Sequence, residues 1–145
     1  MFNSLKKIFS KNSEIRKENH LRRVLIVDDS EVDRNLHLKM VEKLGYTTLT
    51  AHNGKEGFEA ALAKKPDLIL VDYEMPEMNG YEMCKRLQDN PVTEKIPIIF
   101  ITGSDTPSHV IECFETEAVN CLAKPLSIKI LSTQIESAFQ SCSNK

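Results

Sequence analysis

The sequence predicts an α/β fold, a doubly wound parallel sheet of five strands, and three observations carry that expectation. Short apolar runs alternate five times with segments of helical period. Two segments, Arg22–Asp28 and Asp67–Asp72, hold continuous apolar runs (V-L-I-V and L-I-L-V) closed by an acid instead of an alternating pattern, as expected of strands covered on both faces. Ser, Asn or Gly marks most of the boundaries between segments. Parallel neighbours then require right-handed crossovers that place helices on both faces.

Arg22–Asp28 (R-R-V-L-I-V-D) is too short for a helix of its own and is read as strand one. Ser30 caps a first helix in which Val32, Leu36, Met40 and Leu44 recur every four residues, and Gly45 stops it. Tyr46–His52 alternates like an edge strand, and Asn53-Gly54 turns the chain into a second helix with Phe58, Ala61 and Leu62. Asp67–Asp72 (D-L-I-L-V-D) is strand three. A loop with Pro76 and Asn79-Gly80 leads to helix three, about Tyr81–Gln88, with Met83 and Leu87 inward. Strand four is Ile96–Thr102, with Pro97 tolerated near its start. Asp105-Thr106-Pro107 has the form of a cap with Pro in the first turn, opening a short helix with Val110, Ile111 and Phe114. Strand five is Ala118–Ala123. The last helix, about Ser127–Ser141, buries Leu131, Ile135, Ala138 and Phe139.

The 145 residues are 41% hydrophobic and 28% charged, which suits one domain, and the net charge of -2 gives no strong field for nucleic acid. Charge is uneven, however. Residues 1–23 carry seven basic and two acidic side chains, a net of +5, against 12 basic and 19 acidic in the remainder. The chain therefore divides into a basic extension, residues 1–20, and a domain, residues 21–145. Phe2, Leu5, Ile8 and Phe9 fall on one helical stripe of the extension, so residues 1–11 have the pattern of a small amphipathic helix for an anionic membrane surface or a partner groove. A frayed terminus or packing on the domain is the favoured account of them, because about ten residues form a marginal helix alone. Cys84, Cys113, Cys121 and Cys142 are dispersed, with no C-x-x-C, and read as reduced cytosolic thiols. No apolar run approaches the roughly 18 residues of a membrane span and no signal peptide pattern opens the chain, which points to the cytoplasm. His20, His37, His52 and His109 read as surface residues.

In folds of this kind ligands gather outside the carboxyl ends of the strands. Standing there are Asp28, Asp29, Asp72, Thr102 and Lys124. Three carboxylates at neighbouring strand ends repel and need a cation, and hard oxygen ligands with room for water suit Mg²⁺. Lys124 and Thr102 suit the oxygens of a phosphoryl group, and a carboxylate can act as nucleophile to give an aspartyl phosphate.

The segments V-L-I-V-D-D-S, D-L-I-L-V-D-Y-E-M-P-E-M-N-G-Y-E-M, I-P-I-I-F-I-T-G and L-A-K-P resemble, in order and spacing, those of bacterial response-regulator receiver domains of the chemotaxis type. The resemblance covers the chain from about Arg22 to the C-terminus. It implies a flavodoxin-like (βα)5 fold with strand order 2-1-3-4-5. It further implies that Asp72 is the phosphoacceptor and that Mg²⁺ is held by Asp29, Asp72, the backbone carbonyl of Glu74 and, through water, Asp28. Thr102 is the implied switch residue and Lys124 the implied phosphate partner, followed by a cis proline, Pro125. Gly103, without a side chain, leaves the phosphate approachable. The donor is a histidine kinase or histidine phosphotransfer protein, and the output is protein contact through the face of helix four, strand five and helix five. The chain ends just after helix five, which leaves no room for a DNA-binding or catalytic output domain.

Cys121 stands where the family usually has Tyr or Phe, Glu117 where it often has Gly, and Glu74, with Ser104 across from it, lies two residues after the acceptor. The lost aromatic keeps open a phosphate-independent binding module regulated by occupancy or by redox at Cys121. An aspartate-nucleophile phosphatase of the haloacid dehalogenase type is the enzymatic alternative. Order disfavours it: such enzymes carry the nucleophile on an early strand with Asp two residues later, whereas here the acidic pair comes first and Glu74 fills that place. Ser30 has no histidine at partner spacing and reads as a cap, not a nucleophile. Met75 and Met78 read as loop packing.

Overall fold

Three local capping signals set the helix starts. In the computed structural model, which describes residues 21–103 and 107–143 and no side chains at 107, 108, 142 and 143, helix α1 (Glu31–Lys43) opens with Ser30 Oγ accepting from Asp33 N at 3.3 Å. Helix α2 (Gly54–Lys64) opens with Asn53 Oδ1 accepting from Glu56 N at 2.7 Å, and α3 (Gly80–Gln88) with Asn79 Oδ1 accepting from Glu82 N at 2.8 Å. Each cap satisfies an orphan amide, and the acid three residues on adds favourable charge at the positive helix end. Helix α4 spans Pro107–Glu115 and α5 spans Ile128–Ser143. Residues 1–20 and the expected Ser104 and Asp105 positions lie outside the described residues.

The strands are β1 (Arg23–Val27), β2 (Thr47–Ala51), β3 (Leu68–Asp72), β4 (Ile98–Thr102) and β5 (Asn120–Ala123). All pair in parallel in the order β2-β1-β3-β4-β5, the predicted topology. Alternate residues face opposite layers. Leu25, Val27, Ile69, Val71, Ile98 and Phe100 pack under α2, α3 and α4 through Ala61, Met83, Cys84, Leu87 and Cys113. Val24, Ile26, Leu68, Leu70, Ile99 and Ile101 pack under α1 and α5 through Val41, Leu131, Ile135, Ala138 and Phe139. Each such large apolar side chain contributes about 1.5–3 kcal/mol by burial, so the strand ends stand on a fixed platform.

Two helix faces depart from the expected pattern. In α1, Val32 and Leu36 point to solvent, and the inward residues are His37 and Val41. Met40 and Leu44 of the expected stripe pack partly buried against the core beside them. In α4, Val110, Ile111 and Phe114 are exposed while Cys113 is buried.

The loop after β3 turns back sharply. Gly80 N donates to the Tyr73 carbonyl at 2.9 Å, and Glu77 holds a left-handed φ of 67°. A Cβ on Gly80 would lie 2.5 Å from the Asp72 carbonyl oxygen and 3.0 Å from Tyr73 Cα. Both neighbours are backbone and cannot step aside. Alanine would gain about 1 kcal/mol of helix propensity at an ordinary site, but overpacking costs about 1–3 kcal/mol. Gly80→Ala is therefore expected to lower the urea midpoint with an unchanged slope; a raised midpoint would show that the close approach is not required.

Candidate functional site

Register brings the acids together. Val27 of β1 is opposite Ala51 on one side and Val71 on the other, so Asp28 and Asp29 emerge beside Asp72. One carboxylate oxygen from each of the three lies within 4.8 Å of the others. Asp28 and Asp72 are only 1% and 4% exposed, while Asp29 faces solvent. Asp72 is opposite Ile101, so Thr102 stands one residue further along the neighbouring strand, and it too is buried. Lys124 follows β5 and is tied to β4 by its N–H, which donates to the Thr102 carbonyl at 2.8 Å. Its peptide bond to Pro125 is cis, as expected.

Lys124 Nζ is the common counter-charge. It lies 3.4 Å from Asp28 Oδ2, 3.4 Å from Asp72 Oδ2 and 2.9 Å from Asp33 Oδ2. Burial works against its charge, but the hydrogen bond to Asp33 and the fields of Asp72 and Asp28 outweigh it and hold its pKa above the ordinary lysine value. Asp33 is correspondingly held low by that hydrogen bond. Asp28 Oδ1 accepts from Ser30 N at 2.9 Å, and Asp72 Oδ1 takes a long 3.3 Å bond from Glu74 N. Burial, then the charge of Asp28, push the Asp72 carboxyl up to about 7 despite Lys124. Two buried carboxylates and one shared ammonium leave the site short of positive charge.

The donor set fits Mg²⁺. Octahedral oxygen ligands at about 2.1 Å span at most about 4.2 Å, and three mutually repelling carboxylates resting within 4.8 Å need only a small contraction. Glu74, exposed and two residues past Asp72, presents its backbone at the same rim.

Sequence reasoning missed several neighbours. Asp33 makes the shortest bond to Lys124, yet its position in the first turn of α1 suggests only a charge near a helix end. Arg34 donates to the Asp28 carbonyl at 2.8 Å. His37, expected at the surface, is 2% exposed, with Nδ1 3.9 Å from Asp28 Oδ2; desolvation lowers its pKa against the pull of Asp28. His109 is also no simple surface residue, since its ring stacks on Tyr73 with centroids 4.2 Å apart and its Nδ1 lies 3.6 Å from Glu74 Oε1. His52 is exposed as expected, paired with Glu56. Met75 of this loop is buried in the core and Met78 packs partly buried against it.

An acid whose folded pKa lies above its unfolded value loses stability as pH rises through that interval. Below the ordinary carboxylate pKa of 3.8 Asp72 is protonated in both states, and above about 7 it is charged in both, carrying the full cost of burial. Without divalent metal, Asp72→Asn is expected to stabilise the chain by on the order of 2–4 kcal/mol near pH 8 and by almost nothing near pH 4, measured by urea unfolding. Equal gains at both pH values would show that the Asp72 carboxyl is not perturbed.

Comparison with known proteins follows the same lines. The family model described as the response regulator receiver domain matches residues 24–136. A probable cyclic di-GMP phosphodiesterase of Vibrio cholerae is 37% identical over 122 residues, covering 84% of this chain and 27% of that protein. The chain thus spans about a quarter of that relative's length. Protein PilH of Pseudomonas aeruginosa is 34% identical over 111 residues, covering 77% of this chain and 92% of that one. Among solved structures, the signal receiver domain of a signal transduction histidine kinase from Syntrophus aciditrophicus superposes with a TM-score of 0.77 at 31% identity, covering 83% of this chain and 91% of its own.

Proposed function

The chain belongs to the response regulator receiver domain family, signalling switches of two-component phosphorelays, and from that premise we propose that Asp72 is its phosphoacceptor. The observation that carries this reading is the convergence of Lys124 on Asp72 and Asp28 at a buried strand-end site. An Asp72 carboxylate oxygen attacks the phosphorus of a phosphohistidine on a histidine kinase or phosphotransfer protein. The P–N bond breaks, the leaving imidazole takes a proton, and an acyl phosphate remains on Asp72.

The residues of this chain have separable roles. Asp28, Asp29, Asp72 and the Glu74 backbone carbonyl would hold Mg²⁺, which when bound supplies positive charge against the phosphoryl oxygens. Lys124, already fixed at 3.4 Å from Asp72 Oδ2, donates to those oxygens and offsets their charge. The Thr102 hydroxyl donates from the adjacent strand end. Gly103 adds no side chain that would block a donor histidine. Phosphorylation adds charge between Thr102 and Lys124, and both pull on β4 and β5, so the output is carried by the α4–β5–α5 face to a downstream protein.

Receiver domains are signalling domains, and this one accepts phosphate stoichiometrically instead of turning over a substrate. It acts in the cytoplasm and without direct nucleic-acid contact; among the described residues no helix is long and apolar enough to cross a membrane. Residues 1–20 are read from their charge as a basic extension and residues 21–145 as the receiver domain.

Intact mass after incubation with Mg²⁺ and acetyl phosphate tests the assignment. One base-labile adduct of about 80 Da is expected on the native chain and none on Asp72→Asn. An adduct of equal yield on Asp72→Asn would move the acceptor elsewhere, and steady release of phosphate from a phosphomonoester would favour the phosphatase reading. Lys124→Ala should keep Mg²⁺ binding while losing most of the adduct's formation rate, read as the time course of the same mass shift.

A further inference from the structure

Residues dispersed in sequence meet beneath α4. Cys113 on α4 and Cys121 on β5 place their sulfurs 3.4 Å apart, with the Cys113 thiol donating to Cys121 Sγ. Both are free thiols, Cys113 buried and Cys121 partly open to solvent. The separation expected from their spacing is thus undone by the turn between helix and strand.

That turn is held rather than loose. Thr116 Oγ1 donates to the Cys113 carbonyl at 2.7 Å and accepts from Ala118 N at 3.2 Å. Val119 N donates to the Ile98 carbonyl at 2.8 Å, which joins the start of β5 to β4. Asn120 fixes the other flank, with Nδ2 on Gln134 Oε1 of α5 and Oδ1 on Cys121 N, both at 2.8 Å. The two sulfurs are therefore presented to each other by backbone that is tied on both sides. A disulfide has an S–S length of about 2.05 Å, so 3.4 Å between sulfurs leaves roughly 1.4 Å to close. Side-chain rotation and a small shift of α4 cover that distance.

We infer that Cys113 and Cys121 form a redox-modification site, which a hydroperoxide converts to an intrachain disulfide fastening α4 to β5. Cys121, the open member, attacks the terminal peroxide oxygen; the O–O bond breaks, the leaving oxygen takes the thiol proton as water or alcohol, and a sulfenic acid remains on Cys121. Cys113 Sγ then attacks the Cys121 sulfur. The S–O bond breaks, and the hydroxide leaves as water with the Cys113 proton. Two thiols have lost two electrons, and one peroxide has gained them. The reverse reaction needs a dithiol reductant. Burial pushes the Cys113 thiol up to about 12, and the neighbouring Cys121 and Cys84 add to the rise, so the partly open Cys121 is the member that meets the oxidant first. Cys84, buried in the same core with its thiol pushed up to about 11, has no path to the oxidant and stays reduced.

The site lies on the face proposed for output but does not depend on Asp72, so its test is run without Mg²⁺ or phosphodonor and stands apart from the phosphorylation assay. The reduced full chain is treated with hydrogen peroxide and its intact mass and disulfide-linked peptides are measured. Expected are a loss of about 2 Da, one linked pair containing Cys113 and Cys121, return to the starting mass with dithiothreitol, and persistence of the loss in Cys84→Ser and Cys142→Ser. Cys121→Ser, a partly exposed and nearly isosteric change, should abolish it with the far-ultraviolet circular dichroism unchanged. Oxygen addition without the 2 Da loss, a linkage through any other cysteine, or an intermolecular dimer as the main product would overturn the inference.

Discussion

Everything at the functional end of this molecule follows from having to bury Asp28 and Asp72 side by side. Parallel strands in this register cannot do otherwise, because β1 and β3 are neighbours and both end in acid. An unpaired buried carboxylate is costly, and two of them together more so. One ammonium, delivered from the far side of β4, is shared between them and Asp33. The raised Asp72 carboxyl is the part of the cost that Lys124 does not offset. A site in this condition has an affinity for positive charge. The same deficit is the electrostatic reason that a cation among these three carboxylates would be stabilising.

The platform beneath tolerates the strain because its construction is redundant. Strand runs of Val, Ile and Leu fill both layers, and three helices begin with the same chemistry, a Ser or Asn oxygen on the amide three residues along. Local preference and global packing agree at each of these points, the condition under which a chain has one low-energy arrangement. The exceptions sit where function is. Glu77 takes a left-handed backbone and Gly80 lies against the Asp72 carbonyl, so the loop after β3 is shaped by two residues that an average loop would not need.

How much of this is legible beforehand depends on the range of the signal. Strands, caps and the strand-end acids are visible because each is a short run with its own chemistry, and the fifth strand's Lys124 is visible through the motif around it. The inward faces of α1 and α4 are not. Their apolar stripes, Val32 with Leu36 and Val110 with Ile111 and Phe114, satisfy helical periodicity, but the approach angle of each helix decides which stripe is buried. His37 is the sharpest case, a polar residue drawn inside because α1 must lie over the Asp28 end of β1. Asp33 is ambiguous for another reason, since a first-turn acid has a sufficient local role and its bond to Lys124 spans 91 positions. The Cys113–Cys121 meeting needs the length and path of one turn, which spacing alone does not encode.

The sheet order places the two ends of this charge system on unequal footing. β1 and β3, whose ends carry the acids, have strand partners on both sides, whereas β5, which Lys124 follows, is four residues long and has β4 as its one strand neighbour. Openings that release amide hydrogens to solvent start at such margins and reach the centre last. On that ground the carboxylates stand at the ends of central strands and their counter-ion at the end of an edge strand. Charge balance at the site is thereby coupled to the local melting of one edge, so whatever grips or frees that edge alters the acids without touching them.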